Sequence, residues 1–123
     1  MSKSVLVVED NPTNRELVVE VLQLLDVRVL QAEDASTGIA LARSERPDLI
    51  LMDISLPGMD GLEATRRLKA DPETRNIPVV ALTAHAMRWD EQRAREAGCD
   101  GFITKPIEVV SFSEYVQAFL RLK

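Results

Sequence analysis

The sequence predicts an α/β protein: a parallel sheet with helices packed on both faces. Two observations carry this expectation. Short, almost uniformly apolar runs alternate five times with stretches whose apolar residues recur at helical spacing, and such runs fit strands covered on both sides. Strands of that length joined by helical crossovers lie parallel, because the crossover is right-handed. A third observation concerns chemistry. Each of four runs ends in a polar side chain, as in "DLILMDISLPGMDG", where Leu49 to Met52 meets Asp53 and then a Pro-Gly turn.

In chain order, Val5 to Val8 is a continuous β-branched run and the first strand. From Thr13 to Leu25 the spacing of Leu17, Val18, Val21, Leu22 and Leu25 gives one helical stripe. Val27 to Ala32 alternates and carries Arg28 and Gln31, so this half-polar strand belongs at a sheet edge. The stretch "ASTGIALARSER" is a helix with Ile39 and Ala42 inward, ended by Pro47. Leu49 to Met52 is the most apolar strand and takes the centre. A third helix follows Gly61 with Leu62, Thr65 and Leu68 on one side, and "DPETRNIP" closes it. Val79 to Thr83 is the fourth strand. The fourth helix runs from about Ala86 to Ala97 and stops at Gly98, a suitable C-terminal cap. Phe102 to Thr104 forms a short fifth strand. The last helix carries Val109, Phe112, Val116, Phe119 and Leu120.

The bulk properties narrow the function. A length of 123 residues fits one domain. A net charge of -5 argues against a basic nucleic-acid surface, so no DNA binding is expected. No run approaches the length of a membrane span, and the opening residues do not resemble a signal peptide. Cys99 is the single cysteine, which rules out an intrachain disulfide. A cytoplasmic protein with no membrane association is expected. The chain stops with the fifth helix, and on that ground no output domain is expected.

Ligands of open parallel sheets bind outside the carboxyl ends of the strands. The first strand ends in Glu9-Asp10, the third in Asp53, the fourth in Thr83 and the fifth in Lys105. Three carboxylates in one cleft repel by roughly 4 kcal/mol per pair at 4 Å and an effective dielectric of 20. A retained proton or a hard divalent cation relieves this. Mg²⁺ accepts one or two carboxylates and keeps positions for phosphate oxygens. Lys105 and Thr83 suit a tetrahedral anion beside the metal. Asp53, at the tip of the central strand, is placed to act as a nucleophile toward phosphorus.

The ordered set "VVEDN", "LILMDISLPGMDG", "VVALTA" and "FITKP" resembles the receiver domain of bacterial response regulators, over essentially residues 1–123. The resemblance implies a flavodoxin-like (βα)5 fold with strand order 2-1-3-4-5. It implies that Asp53 is the phosphoacceptor, fed by a histidine kinase or histidine phosphotransfer protein. Asp10 and Asp53 would bind Mg²⁺ (or Mn²⁺) directly, Glu9 mostly through water, and Ser55 through its carbonyl. Lys105 and Thr83 would serve the phosphoryl group, with Lys105-Pro106 joined by a cis peptide. Thr83 and Phe102 fill the two switch positions, and Phe102 lacks the hydroxyl of the tyrosine that is frequent there. Helix four, strand five and helix five would form the partner surface, with Trp89 on it, toward a downstream kinase or other regulatory protein. The stretches "EDNPTNRELV" and "TKPI" are most similar to DivK-type single-domain regulators and to receiver segments of hybrid histidine kinases. The first is the expected assignment and the second the alternative. The module would catalyse its own phosphorylation and dephosphorylation without being an enzyme in the ordinary sense.

Simpler readings stand beside these. Glu9-Asp10-Asn11-Pro12 also suits a plain helix start, and Pro57-Gly58 a turn. Cys99 reads as an inert buried thiol. His85, two residues beyond Thr83, could orient or hinder the water that hydrolyses an acyl phosphate. A small-molecule phosphatase would need an acid/base and a cap that the sequence does not offer. A flavin module would need a glycine- and hydroxyl-rich loop where "EDNPTN" stands.

Overall fold

In the computed structural model of the chain, residues 3–54, 60–83, 88–104 and 107–121 are described. Ten elements alternate: β1 Ser4–Val8, α1 Pro12–Gln23, β2 Arg28–Ala32, α2 Ala35–Glu45, β3 Leu49–Asp53, α3 Gly61–Ala70, β4 Val79–Thr83, α4 Arg88–Ala97, β5 Gly101–Thr104 and α5 Val109–Arg121. The strands form one parallel sheet in the order β2-β1-β3-β4-β5. The expected fold class and strand order are observed. The half-polar β2 lies at an edge and the most apolar strand, β3, in the middle.

Alternation along each strand sorts the core into two faces. Val5, Val7, Leu49, Leu51, Val80 and Leu82 pack against α1 and α5 through Val18, Val21, Leu22, Phe112, Val116 and Leu120. Leu6, Val8, Ile50, Met52 and Val79 point the other way, onto α2 and α3. Ala81 meets Ala94 and Ala97 of α4 and Leu62 of α3. Every residue of β3 and β4 is buried, as a strand covered on both faces requires.

The helix starts are fixed by short polar side chains that accept the free N–H groups of the first turn. Asn11 accepts from Thr13 and Asn14, Asp34 from Thr37, and Asp60 from Glu63. Pro12 occupies the first turn of α1, where no intrahelical donor is needed. Gly98 follows α4 with φ +107°, a conformation that side-chain-bearing residues rarely adopt.

Several inward assignments are narrower than the spacing alone predicts. Leu17 is 38% exposed, while Val18, Val21 and Leu22 carry the buried face of α1. Ile39 is only half-buried, and Gly38 lies inward beside it, against Val8. Val109 opens α5 and is exposed. Cys99 is half-buried rather than fully enclosed.

Two groups of polar contacts hold the β4–β5 side. The Lys69 ammonium donates to the carbonyls of Arg75 and Ile77 and to the carboxylate of Asp100, whose same oxygen accepts the Val79 N–H. On the edge strand β5, the N–H of Phe102 donates to the Tyr115 hydroxyl at 3.1 Å.

Candidate phosphoacceptor and metal site

All strands being parallel, their carboxyl ends share one rim. Val8 pairs with Met52, so the next residues along the two strands are Glu9 and Asp53. Asp53 in turn pairs with Leu82, one residue before Thr83, and Thr83 pairs with Thr104. Ile54 donates to the carbonyl of Leu82, which extends the β3–β4 ladder to this rim. The sheet register therefore brings the acids of β1 and β3 and the hydroxyl of β4 side by side.

Carboxylate oxygens of Glu9, Asp10 and Asp53 all lie within 4.8 Å of one another. Glu9 is 1% and Asp53 3% exposed, Thr83 is fully buried, and Asp10 faces solvent. Two buried acids beside a third are costly: at 4.8 Å each pair of charges repels by roughly 3 kcal/mol at a dielectric of 20. Glu9 is partly compensated by the backbone N–H of Asn11, at 3.3 Å from its carboxylate.

The donor set suits a small hard cation. Ligand oxygens of an octahedral Mg²⁺ at about 2.0–2.1 Å lie about 2.9 to 4.2 Å apart. Oxygens already within 4.8 Å need to close only slightly to meet that geometry. All three donors are oxygens, as Mg²⁺ prefers, and among the described residues no histidine or cysteine joins the cluster.

Of the residues expected at the site, Glu9, Asp10 and Asp53 come together, and Thr83 lies on the same rim. Phe102 sits in β5, partly buried against the α4 packing cluster. Ser55, His85, Lys105 and the Lys105-Pro106 bond lie outside the described residues, as does the Pro57-Gly58 turn. Trp89 belongs to α4 by backbone, and its side chain is likewise outside the description. Burial pushes the Cys99 thiol up from its ordinary pKa and the Asp100 charge adds to this, while a Thr65 hydrogen bond and Lys69 oppose it. That direction fits an unreactive thiol.

Residues 5–117 match the family model described as response regulator receiver domain. The chain belongs to the response regulator receiver family. Its curated relatives include the polar-differentiation response regulator DivK of Brucella anthropi, 46% identical over 120 residues that make up 98% of both chains. DivK of Brucella ovis is 45% identical over the same coverage. Among solved structures, a response regulator from Chloroflexus aurantiacus superposes with a TM-score of 0.94 at 26% identity, covering 98% of this chain and 99% of that one. The receiver domain of a sensor histidine kinase from Pseudomonas aeruginosa superposes with a TM-score of 0.91 at 33% identity, covering 98% and 99%. That structure has a magnesium ion coordinated in its active-site cleft. The receiver is a signalling module of two-component systems, and among the described residues no helix is long and apolar enough to cross a membrane.

One contributor to the site escaped the sequence reading. Arg15 of α1 donates from Nη1 to the carbonyl of Glu9 at 2.9 Å and faces Glu33 at 3.5 Å. A cation near the N-terminus of a helix opposes the helix dipole. Its presence there was the available signal that a compensating partner lies close by.

Proposed function

We propose that Asp53 receives a phosphoryl group from a phosphohistidine of a histidine kinase or histidine phosphotransfer protein, and that the modified receiver then regulates a partner protein. The observation that carries this reading is the gathering of Glu9, Asp10 and Asp53 at the carboxyl rim of the sheet. An Asp53 carboxylate oxygen forms the new P–O bond while the P–N bond of the donor breaks, and the bonding pair returns to the imidazole nitrogen. Buried at the tip of β3, Asp53 is held in one position and partly shielded from water, so orientation supplies much of the rate. The Thr83 hydroxyl and the Lys105 ammonium bind phosphoryl oxygens. Glu9, Asp10 and Asp53, with the carbonyl of Ser55, would hold Mg²⁺, and Mn²⁺ would suit the same oxygen donors. The bound ion neutralises charge on the transferred group. Hydrolysis of the acyl phosphate returns the carboxylate and inorganic phosphate, and His85 adjusts how fast water arrives.

Thr83 and Phe102 transmit the modified state to the surface formed by α4, β5 and α5, where Trp89 contributes to partner binding. No output through DNA is proposed. The reading as a stand-alone regulator, rather than the receiver of a hybrid kinase, is supported by DivK relatives of which the chain covers 98%.

The test is a transfer assay against autophosphorylated histidine kinases of the source organism. Label should move to the wild-type chain only with Mg²⁺, should be released by hydroxylamine as from an acyl phosphate, and should be absent from Asp53→Ala. Transfer that persists in Asp53→Ala, or label that resists hydroxylamine, would overturn the assignment.

A further inference from the structure

Glu9 and Asp10 are consecutive, yet they face different surroundings. Glu9 is buried and donates its N–H to Ala32 at 3.0 Å, the last bond that ties this chain segment to β2. Asp10 lies beyond the sheet and faces solvent. What orients the second carboxylate relative to the first is the plane of the peptide between them.

That peptide is held from behind by a side chain of α1. The Glu9 carbonyl belongs to the Glu9-Asp10 peptide, and it accepts the Arg15 Nη1–H at 2.9 Å. Since the peptide unit is planar and stiff, fixing its oxygen also fixes the direction of the Asp10 N–Cα bond. Arg15 is itself fixed at both ends. Its backbone N–H donates to Asn11 at 2.9 Å within the first turn of α1, and Nη2 faces Glu33 in the β2–α2 connection. The Arg15 side chain is 15% exposed, so packing restricts it further.

We infer that Arg15 is a positioning residue for the metal site: its guanidinium fixes the Glu9-Asp10 peptide and so presents the two carboxylates together to Mg²⁺. This rests on the reading that Glu9, Asp10 and Asp53 hold the ion. Two effects of the cation oppose each other. Its charge repels Mg²⁺, whereas its hydrogen bond orders two of the three acidic donors. The inference is that ordering dominates, because the guanidinium charge is already shared with Glu33 and the backbone carbonyl.

The experiment is a ¹H–¹⁵N chemical-shift titration of the unphosphorylated protein with MgCl2, in which the spectrum also reports whether each variant is folded. Arg15→Met keeps an apolar stem of similar length and removes every donor. It should raise the Mg²⁺ dissociation constant about tenfold, the lower end of what loss of a supporting outer-shell contact costs. Arg15→Lys should recover part of that loss, since one donor can still reach the Glu9 carbonyl. Arg43→Met, which breaks the Arg43–Asp71 ion pair of 3.1 Å between α2 and the end of α3, should leave Mg²⁺ affinity unchanged. Equal or tighter Mg²⁺ binding in folded Arg15→Met overturns the inference and leaves the metal site standing. If Arg15→Met does not fold, Arg15→Ala decides, since it also removes every donor, and wild-type affinity in that variant overturns the inference. Absence of Mg²⁺ binding by the wild-type protein overturns the metal site and the role of Arg15 with it.

Discussion

Gly61 opens α3 directly against the backbone of Asp53, and alanine there tests how closely the helix supports the acceptor. A Cβ at position 61 would stand 2.2 Å from the Asp53 carbonyl oxygen, 2.7 Å from the Ile54 Cα and 2.8 Å from the Asp53 carbonyl carbon. Real Cβ atoms essentially never approach within 3.0 Å, so the closest contact is short by 0.8 Å. All three neighbours are backbone, and no rotamer change can clear them. Overpacking of this kind costs about 1–3 kcal/mol, and a rigid backbone neighbour places it at the upper end. The better helix propensity of alanine returns at most about 1 kcal/mol. A net loss of about 2 kcal/mol corresponds to a fall in Tm of roughly 8 °C for a domain of this size. Relief by displacing the Asp53 carbonyl should also weaken Mg²⁺ binding. Thermal and urea melts with and without MgCl2 measure both effects. Gly38→Ala is the comparison: the three atoms nearest its Cβ would all be side-chain atoms of Val8, the closest at 2.8 Å. Gly61→Ala melting within 2 °C of wild type, or no lower than Gly38→Ala, would refute the close support of Asp53 by α3.

Asp53→Asn removes one of three clustered charges. In chelator this variant should be more stable than wild type by about 1 kcal/mol once solvent screening at the exposed Asp10 is allowed for. A lower Tm in chelator would count against mutual repulsion. Acid sensitivity should trace to two helix starts. Asp34 is held below its ordinary value of 3.8 by hydrogen bonds from Thr37, and Glu108 below 4.5 by bonds from Ser111. The unfolded chain binds more protons at these groups, so their stabilisation is complete above the ordinary carboxylate range and is lost as pH falls through the lower folded values. The double variant Asp34→Asn, Glu108→Gln should lose less Tm than wild type between neutral pH and pH about 3. Parallel pH profiles would exclude these groups.

Element order, the edge place of β2, the central place of β3 and the acidic rim were legible because each depends on a local pattern plus one topological rule, whereas the full strand order came from the family resemblance. A fully apolar strand has to lie inside the sheet, a half-polar one at its edge, and parallel strands bring their carboxyl ends to one rim. Side-chain orientation was less legible where neighbours decide it. Leu17 and Val18 both fit the stripe of α1, but only Val18 reaches the sheet, and Gly38 rather than Ile39 lets α2 approach Val8. Long-range polar contacts left almost no trace. Lys69 resembles any exposed helix lysine until Asp100, 31 residues away, and two loop carbonyls converge on it. Arg15 differs, because its place against the helix dipole hinted at a partner without naming the Glu9 carbonyl.

The Tyr115 hydroxyl has a consequence for how the molecule behaves at high concentration. β5 ends the sheet, and its outward backbone groups could template another chain, as bare strand edges do. With the Phe102 N–H already donated to Tyr115, an incoming strand finds its first docking point taken. Gly101 makes this possible, since a Cβ there would fall 2.3 Å from the phenol oxygen. Closing this edge position thus takes a glycine inside a strand and a tyrosine committed to guarding it.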